Sequence, residues 1–95
     1  MTAYMIVRMN VTDMEQYREY MKLTPAIIEK FGGQFVVRGG DVVTLEGETE
    51  SRRIVVVQFP SVEVAKEFYN SPEYQHAKSV RENAAEGEFI VVAGV

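Results

Sequence analysis

Apolar and polar residues alternate from the start of the chain: Met5, Val7 and Met9 are interleaved with Tyr4, Ile6 and Arg8, the period of a strand over Ala3–Met9. Thr12-Asp13-Met14-Glu15 follows with capping-box spacing, in which the Thr hydroxyl and the Glu carboxylate each satisfy an orphaned N–H. The spacing then turns helical, with Met14, Tyr17, Met21, Ile28 and Phe31 as a buried stripe. Pro25 lacks an N–H and crowds the preceding turn, which predicts a kink or a restart with Thr24 as cap. Gly32-Gly33 predicts the helix end.

Gln34–Arg38 and Val42–Leu45 both carry strand composition, and the Gly39-Gly40 pair between them predicts a bulge in one long strand rather than a hairpin turn. The polar stretch Glu46–Ser51 is then the hairpin. Ile54–Phe59 is the strongest strand pattern in the chain. Pro60-Ser61 predicts a cap for a helix with Val64, Ala65 and Phe68 on its apolar face. Asn70 closes that helix, and Ser71-Pro72 opens another with Tyr74, Ala77, Val80 and Arg81 on one side. Glu86-Gly87 predicts a turn into a last strand, Phe89–Ala93. The order is that of a split βαβ unit, an α+β ferredoxin-like βαββαβ fold with an antiparallel sheet, filling residues 1–95 as one domain.

In such a unit the helices cover one face of the sheet, and a wet second face calls for clean alternation. Ile54-Val55-Val56-Val57 and Phe89-Ile90-Val91-Val92-Ala93 are apolar on both faces. Leaving large side chains there in water forgoes about 1.5–3 kcal/mol each. A second copy laid sheet to sheet is the simplest cover, so the sequence predicts a homodimer.

With 46 % apolar and 25 % charged residues the chain reads as globular rather than disordered. It has no cysteine, which removes disulfides, thiolate metal sites and a thiol nucleophile, and fits a reducing compartment. The N-terminus lacks the basic and apolar regions of a signal peptide, and no apolar run reaches the ~20 residues of a membrane span. A cytoplasmic protein without membrane contact is expected. The net charge is −4 and the basic residues are scattered, against the clustered cations that nucleic-acid binding needs.

Several of these stretches together resemble a known family. Ala3-Tyr4-Met5-Ile6-Val7, the Tyr17/Tyr20 helix, Pro25 and Gly32-Gly33 come first. Val37-Arg38-Gly39-Gly40, Leu45-Glu46-Gly47, Phe59-Pro60-Ser61 and Tyr69-Asn70-Ser71-Pro72-Glu73-Tyr74-Gln75 follow in order. In this the chain is similar to the domain of unknown function 1330 family, of the dimeric α/β-barrel superfamily, over essentially its whole length. The resemblance implies a ferredoxin-like fold and a dimer. It implies no activity, since related families on this fold include monooxygenases, isomerases, haem-degrading enzymes and ligand sensors.

The candidate chemistry is sparse. Arg38 ends a strand, Arg53 begins another and Arg81 lies on the last helix; a guanidinium fork suits a carboxylate or phosphate. The plain alternative is an acid of the fold for each, with Glu46 the obvious partner of Arg53 across the hairpin. Tyr69 and Tyr74 flank the rigid Ser71-Pro72 and are placed to stack on and hydrogen-bond a planar ligand, although aromatics at helix ends are commonly core. Tyr4, Tyr17 and Tyr20 read as packing. His76, the only histidine, is a candidate for proton transfer or for axial ligation, with Glu73 three positions away to orient its ring, against the reading of a surface histidine. A lone histidine makes no ordinary metal site, and no phosphate loop, dinucleotide fingerprint or serine elbow is present, so neither metal nor cofactor is expected. These observations point to a dimeric small-molecule-binding protein with its pocket between sheet and helices. It would take an anionic or carbonyl-bearing molecule, with or without cofactor-independent catalysis; the alternative is a non-catalytic dimerisation or sensor module.

Overall fold

A computed structural model describes residues 2–95. Strand β1 (Ala3–Val11) leads into helix α1 (Met14–Lys30), then β2 (Gln34–Arg38) and β3 (Arg53–Phe59). Helices α2 (Val62–Asn70) and α3 (Pro72–Arg81) and strand β4 (Ala85–Ala93) complete the chain. The four strands form one antiparallel sheet in the order β2-β3-β1-β4. Each crossover therefore passes over one intervening strand, which is the ferredoxin-like α+β arrangement. The helices lie on one face, and the body measures 32 × 31 × 16 Å, a sheet with a single helical layer on it.

The strand period decides the two faces. Ala3, Met5, Val7 and Met9 of β1 are buried, as are Val57 and Phe59 of β3. They pack against Tyr17, Tyr20 and Ile28 of α1, Ala65 and Phe68 of α2, and Tyr74 and Ala77 of α3. On the other face the register aligns Val37, Val56, Ile6 and Ile90 in a row across all four strands. No helix or loop among the described residues covers that row: Ile90 is 52 % exposed and its neighbour Val92 is 48 % exposed.

The structure corrects the sequence reading at five points. Asp13, not Thr12, caps α1, its carboxylate accepting from Gln16 N at 3.2 Å, while the Thr12 hydroxyl donates to Ala84 O. Helix α1 runs unbroken through Pro25. The proline leaves the Met21 carbonyl without its helical N–H, and Arg38 Nη2 donates to that carbonyl at 3.0 Å instead. The bulge lies at Val36, between Phe35 and Val37, rather than at Gly39-Gly40. Residues 42–45 form no strand, so the whole segment 39–52 is an irregular loop. Strand β4 starts at Ala85, four residues before Phe89, and Glu86-Gly87 lies within it. These residues look polar because Glu86 and Glu88 face outward, while Gly87 sits where a Cβ would come within 2.8 Å of the Phe89 ring.

The loop is irregular but held. Glu50 meets Arg8 at 3.3 Å and Arg52 at 2.9 Å, Arg52 also pairs with Glu88, and Glu50 N donates to Thr44 Oγ1 at 2.9 Å. The Arg52 side chain and then its backbone N–H, donating to the carboxylate, hold the Glu50 pKa at about 2 against an ordinary 4.5. Because the folded value is the lower one, this contribution is complete above pH 4.5 and is lost as pH falls through about 2. A carboxyl-carbon NMR titration should show Glu50 with a midpoint near 2 and the loop amides shifting with it. A midpoint at the ordinary 4.5 would contradict the anchoring.

Candidate functional site

Between α1 and the inner face of the sheet lies a cavity of about 40 Å³. Its floor is apolar, from β1 and β3. Its polar lining comes from Tyr17, Tyr20 and Thr24 of α1, Tyr74 of α3, and Arg38 and Arg53 at the ends of β2 and β3. The register brings the arginines inside: Arg53 pairs with Met9 and Arg38 with Val55, both inward positions. Ser71 sets the last wall, accepting from Tyr74 N at 3.1 Å and donating to Phe68 O at 2.7 Å, which fixes the turn that aims Tyr74 under the sheet.

Arg53 lies beside the Tyr17 ring, 5.9 Å from its centroid, with Nη2 3.6 Å from Met21 Sδ. Its guanidinium packs directly on Gly39, where a Cβ would come within 2.2 Å of Nη1, and Gly39 also holds φ at +74°. The positive φ favours glycine, and a side chain there would push the guanidinium away. Arg53 Nε is buried without a hydrogen-bond partner, and among the described residues no carboxylate lies within ion-pair distance, Glu46 included. Arg38 stacks over Phe35 at 4.4 Å while donating to Met21 O.

Arg81 stands behind the lining. It is only 6 % exposed, lies 5.5 Å from the Tyr20 ring and 5.2 Å from the Phe89 ring, and also has a buried Nε without a partner. Its Nη2 donates to Tyr74 Oη at 3.4 Å, and the Tyr74 and Tyr20 hydroxyls meet at 3.0 Å. Burial works against its charge, but the hydrogen bond to Tyr74 and the neighbouring phenols outweigh it and hold its pKa above the ordinary arginine value. Burial, and then Tyr74, push the Tyr20 phenol well above the ordinary tyrosine value. Burial raises Tyr17 as well, with Arg53 pulling the other way. Tyr17 and Tyr20 are therefore neutral donors at any physiological pH.

Of the residues singled out from sequence, the cavity gathers Arg38, Arg53 and Tyr74, with Arg81 one layer behind. Tyr69 packs at a tilt against Tyr74 and Phe89, ring centroids 5.2 and 5.6 Å away, but opens onto a separate surface cleft. His76 is exposed on α3 and does not line the cavity, and Glu73 binds Lys30 of α1. Sequence reasoning missed Tyr17, Tyr20 and Thr24 as polar lining. Their signal was three hydroxyls spaced i, i+3 and i+7 on the buried stripe of one helix.

The polar lining thus consists of phenols, guanidiniums and one threonine; no Asp, Glu, His, Lys or Cys side chain among the described residues faces it. Such a set supplies N–H and O–H donors and fixed positive charge. It suits a carboxylate, an enolate or a polarised carbonyl oxygen, and it offers no group that accepts a proton near neutrality. No group of three His, Cys, Asp or Glu among the described residues is placed to hold a metal ion.

A four-stranded antiparallel sheet with a donor-lined cavity under its helices places the molecule among ferredoxin-like proteins. Residues 2–95 match the family model described as Domain of unknown function (DUF1330), and the chain belongs to that family. A protein of unknown function from Rhodopseudomonas palustris is 21 % identical in sequence, with 99 % of this chain and 82 % of that one covered and a TM-score of 0.79. A dimeric ferredoxin-like protein of unknown function from Jannaschia sp. CCS1 is 11 % identical, with 99 % and 100 % covered and a TM-score of 0.72. SnoaB, a cofactor-independent oxygenase from Streptomyces nogalater, is 10 % identical, with 99 % and 93 % covered and a TM-score of 0.70. At these identities the likeness is one of fold. No curated protein matches the sequence.

The hydroxyl chain makes an unequal prediction. Tyr74→Phe strands the Arg81 donor as well as breaking the Tyr20 bond, and should cost about 1–3 kcal/mol. Tyr20→Phe removes one neutral hydrogen bond and should cost about 0.5–1.5 kcal/mol. Urea denaturation measures both, and an equal or reversed loss would contradict the chain as drawn.

Proposed function

We propose that this protein is a homodimeric binder of a small anionic or carbonyl-bearing molecule, seated in the cavity between α1 and the sheet. One observation carries the reading: Arg53 lines the cavity with a buried Nε–H that has no hydrogen-bond partner, and among the described residues no carboxylate lies within ion-pair distance of it. A guanidinium cannot neutralise itself by losing a proton, and an N–H buried without a partner costs about 1–3 kcal/mol. An anion entering the cavity recovers that cost.

Arg53 and Arg38 form the charged mouth, and Tyr17, Tyr20 and Tyr74 supply the donors inside. Arg81 polarises the Tyr74 hydroxyl from behind. The volume of about 40 Å³ sets the scale at a few heavy atoms. Met5, Met9 and Met21 line the same space, and thioether side chains repack readily, so a somewhat larger planar ligand fits by displacing them. Catalysis on this site needs no resident base if the ligand enters already ionised; the oxygenase SnoaB, described as cofactor-independent, has the same fold. His76 and Tyr69 stand outside this site, and any role for them concerns the surface. The uncovered apolar row of the outer face supports the homodimer, as does the Jannaschia neighbour described as dimeric. We read residues 1–95 as one domain acting in the cytoplasm, with neither nucleic acid nor membrane as partner. The scattered cations support the first exclusion, and the second fits the finding that no helix among the described residues is long and apolar enough to cross a membrane.

Thermal melts with acetate, pyruvate and benzoate, against chloride at equal ionic strength, test the reading. At about 100-fold above Kd, binding adds about 2.7 kcal/mol of stability. At least one carboxylate should raise the melting temperature of the native protein, and the rise should vanish in Arg53→Met and Arg81→Met. Each variant is compared with its own ligand-free melting temperature, so a change in basal stability does not enter the reading. A carboxylate response that survives both substitutions would remove the proposed anchors.

A further inference from the structure

The segment 39–52 makes little sense as part of an isolated chain. Leu45 is 93 % exposed and Val43 is 78 % exposed, with Val42 partly exposed beside them. A polar tip would connect β2 to β3 equally well, and exposed branched aliphatics in a loop give the fold nothing. Nor is the loop slack. Gly47 turns it at φ +92°, Glu50 N closes it onto Thr44, and the Arg8–Glu50–Arg52–Glu88 network ties its base to the body. Its aliphatic side chains are thus presented outward by a pinned turn.

The anchor tells which way the loop faces. Arg8 alternates with the buried Val7 and Met9, and its register partners Ile54 and Glu88 lie with it on the sheet face that the helices leave bare. Glu50 is fastened to that face. The loop base therefore stands at the edge of the row Val37–Val56–Ile6–Ile90, on the side from which a second copy would approach. A stable interface buries ~800 Å² per partner, a large share of a face on a body 32 × 31 Å across. Yet the row on one side of Ile6 carries Gln34, Gln58 and Tyr4 beside Val92, and the row on the other side carries Arg8 and Glu88 beside Ile54, so only the Ile6 row is apolar throughout, a belt across the face.

We infer that the loop 39–52 is an arm that closes on a second copy of this chain, seating Val43 and Leu45 against the partner and adding apolar area to the sheet-to-sheet belt. The occupant is a second copy because the base of the arm is pinned to the face that carries the belt, and a two-fold axis through the belt brings each arm to the edge of the other subunit. The inference rests on the homodimer proposed above and assigns the loop a role in it.

Sedimentation velocity over a dilution series separates the two. The native protein should be dimeric at micromolar concentration. The double variant Val43→Ser/Leu45→Ser changes only exposed side chains, so the monomer should keep its circular dichroism while the dimer dissociation constant rises by about 100-fold or more. Ile90→Lys, in the belt itself, should give monomer. Loss of the dimer in Ile90→Lys together with an unchanged constant in the double variant would overturn the arm and leave the dimer standing. A monomeric native protein would overturn both.

Discussion

A guanidinium keeps its proton under any condition in which a protein folds. Arg53 lines the space under this sheet, Arg81 stands one layer behind, and no carboxylate among the described residues lies within ion-pair distance of either. That constraint organises the rest of the site. Arg81 is tolerable in its place because Tyr74 accepts from it and because two aromatic rings flank it. Arg53 is tolerable because Gly39 leaves room for its guanidinium and the Met21 sulfur takes one N–H. Neither arrangement neutralises the charge. The cavity is consequently a donor-rich, positively charged space closed by apolar walls, which is the electrostatic description of an anion site.

Features that look like local irregularities in the backbone serve the same place. Pro25 costs α1 one hydrogen bond, and the freed Met21 carbonyl holds Arg38 at the cavity mouth. The bulge at Val36 lets Val37 face outward into the apolar row while Arg38 turns inward. Ser71 separates α2 from α3 and fixes Tyr74. The thin, two-layer body leaves the opposite sheet face bare, so the same strands that wall the cavity on one side present an apolar belt on the other.

Much of this could be read before the structure. The strand and helix periods place most of the elements, and apolar runs on both faces of β3 and β4 anticipate the uncovered belt. The misreadings share a cause: tertiary context overrode a local rule. Pro25 stays inside α1 because a side chain from β2 serves the freed carbonyl, a contact no local spacing shows. Val42–Leu45 has strand composition, but with β2 ending at Arg38 it has no strand to pair with. Glu86-Gly87 reads as a turn, yet it is strand, since its glycine makes room for Phe89 and its acids face outward. At the site, arginines at strand ends were legible as unusual, and their inward direction follows from register, which a single sequence does not fix. Tyr17 and Tyr20 fit a buried helical stripe so well that packing explained them fully; only the hydroxyl pairing with Tyr74 and the nearness of Arg81 and Arg53 show them as part of a polar lining.

The central claim is that these guanidiniums await an anion, and their own nuclei report on it most directly. In a protein labelled with nitrogen-15, the Nε–Hε signals of Arg53 and Arg81 can be followed while benzoate is added at constant ionic strength against chloride. The account predicts saturable shifts of both signals with a common dissociation constant, accompanied by Tyr20 and Tyr74 ring signals and absent from the surface arginine Arg18. Shifts that never saturate, or that appear equally at Arg18, would show that the cavity has no special affinity for an anion and would contradict the account.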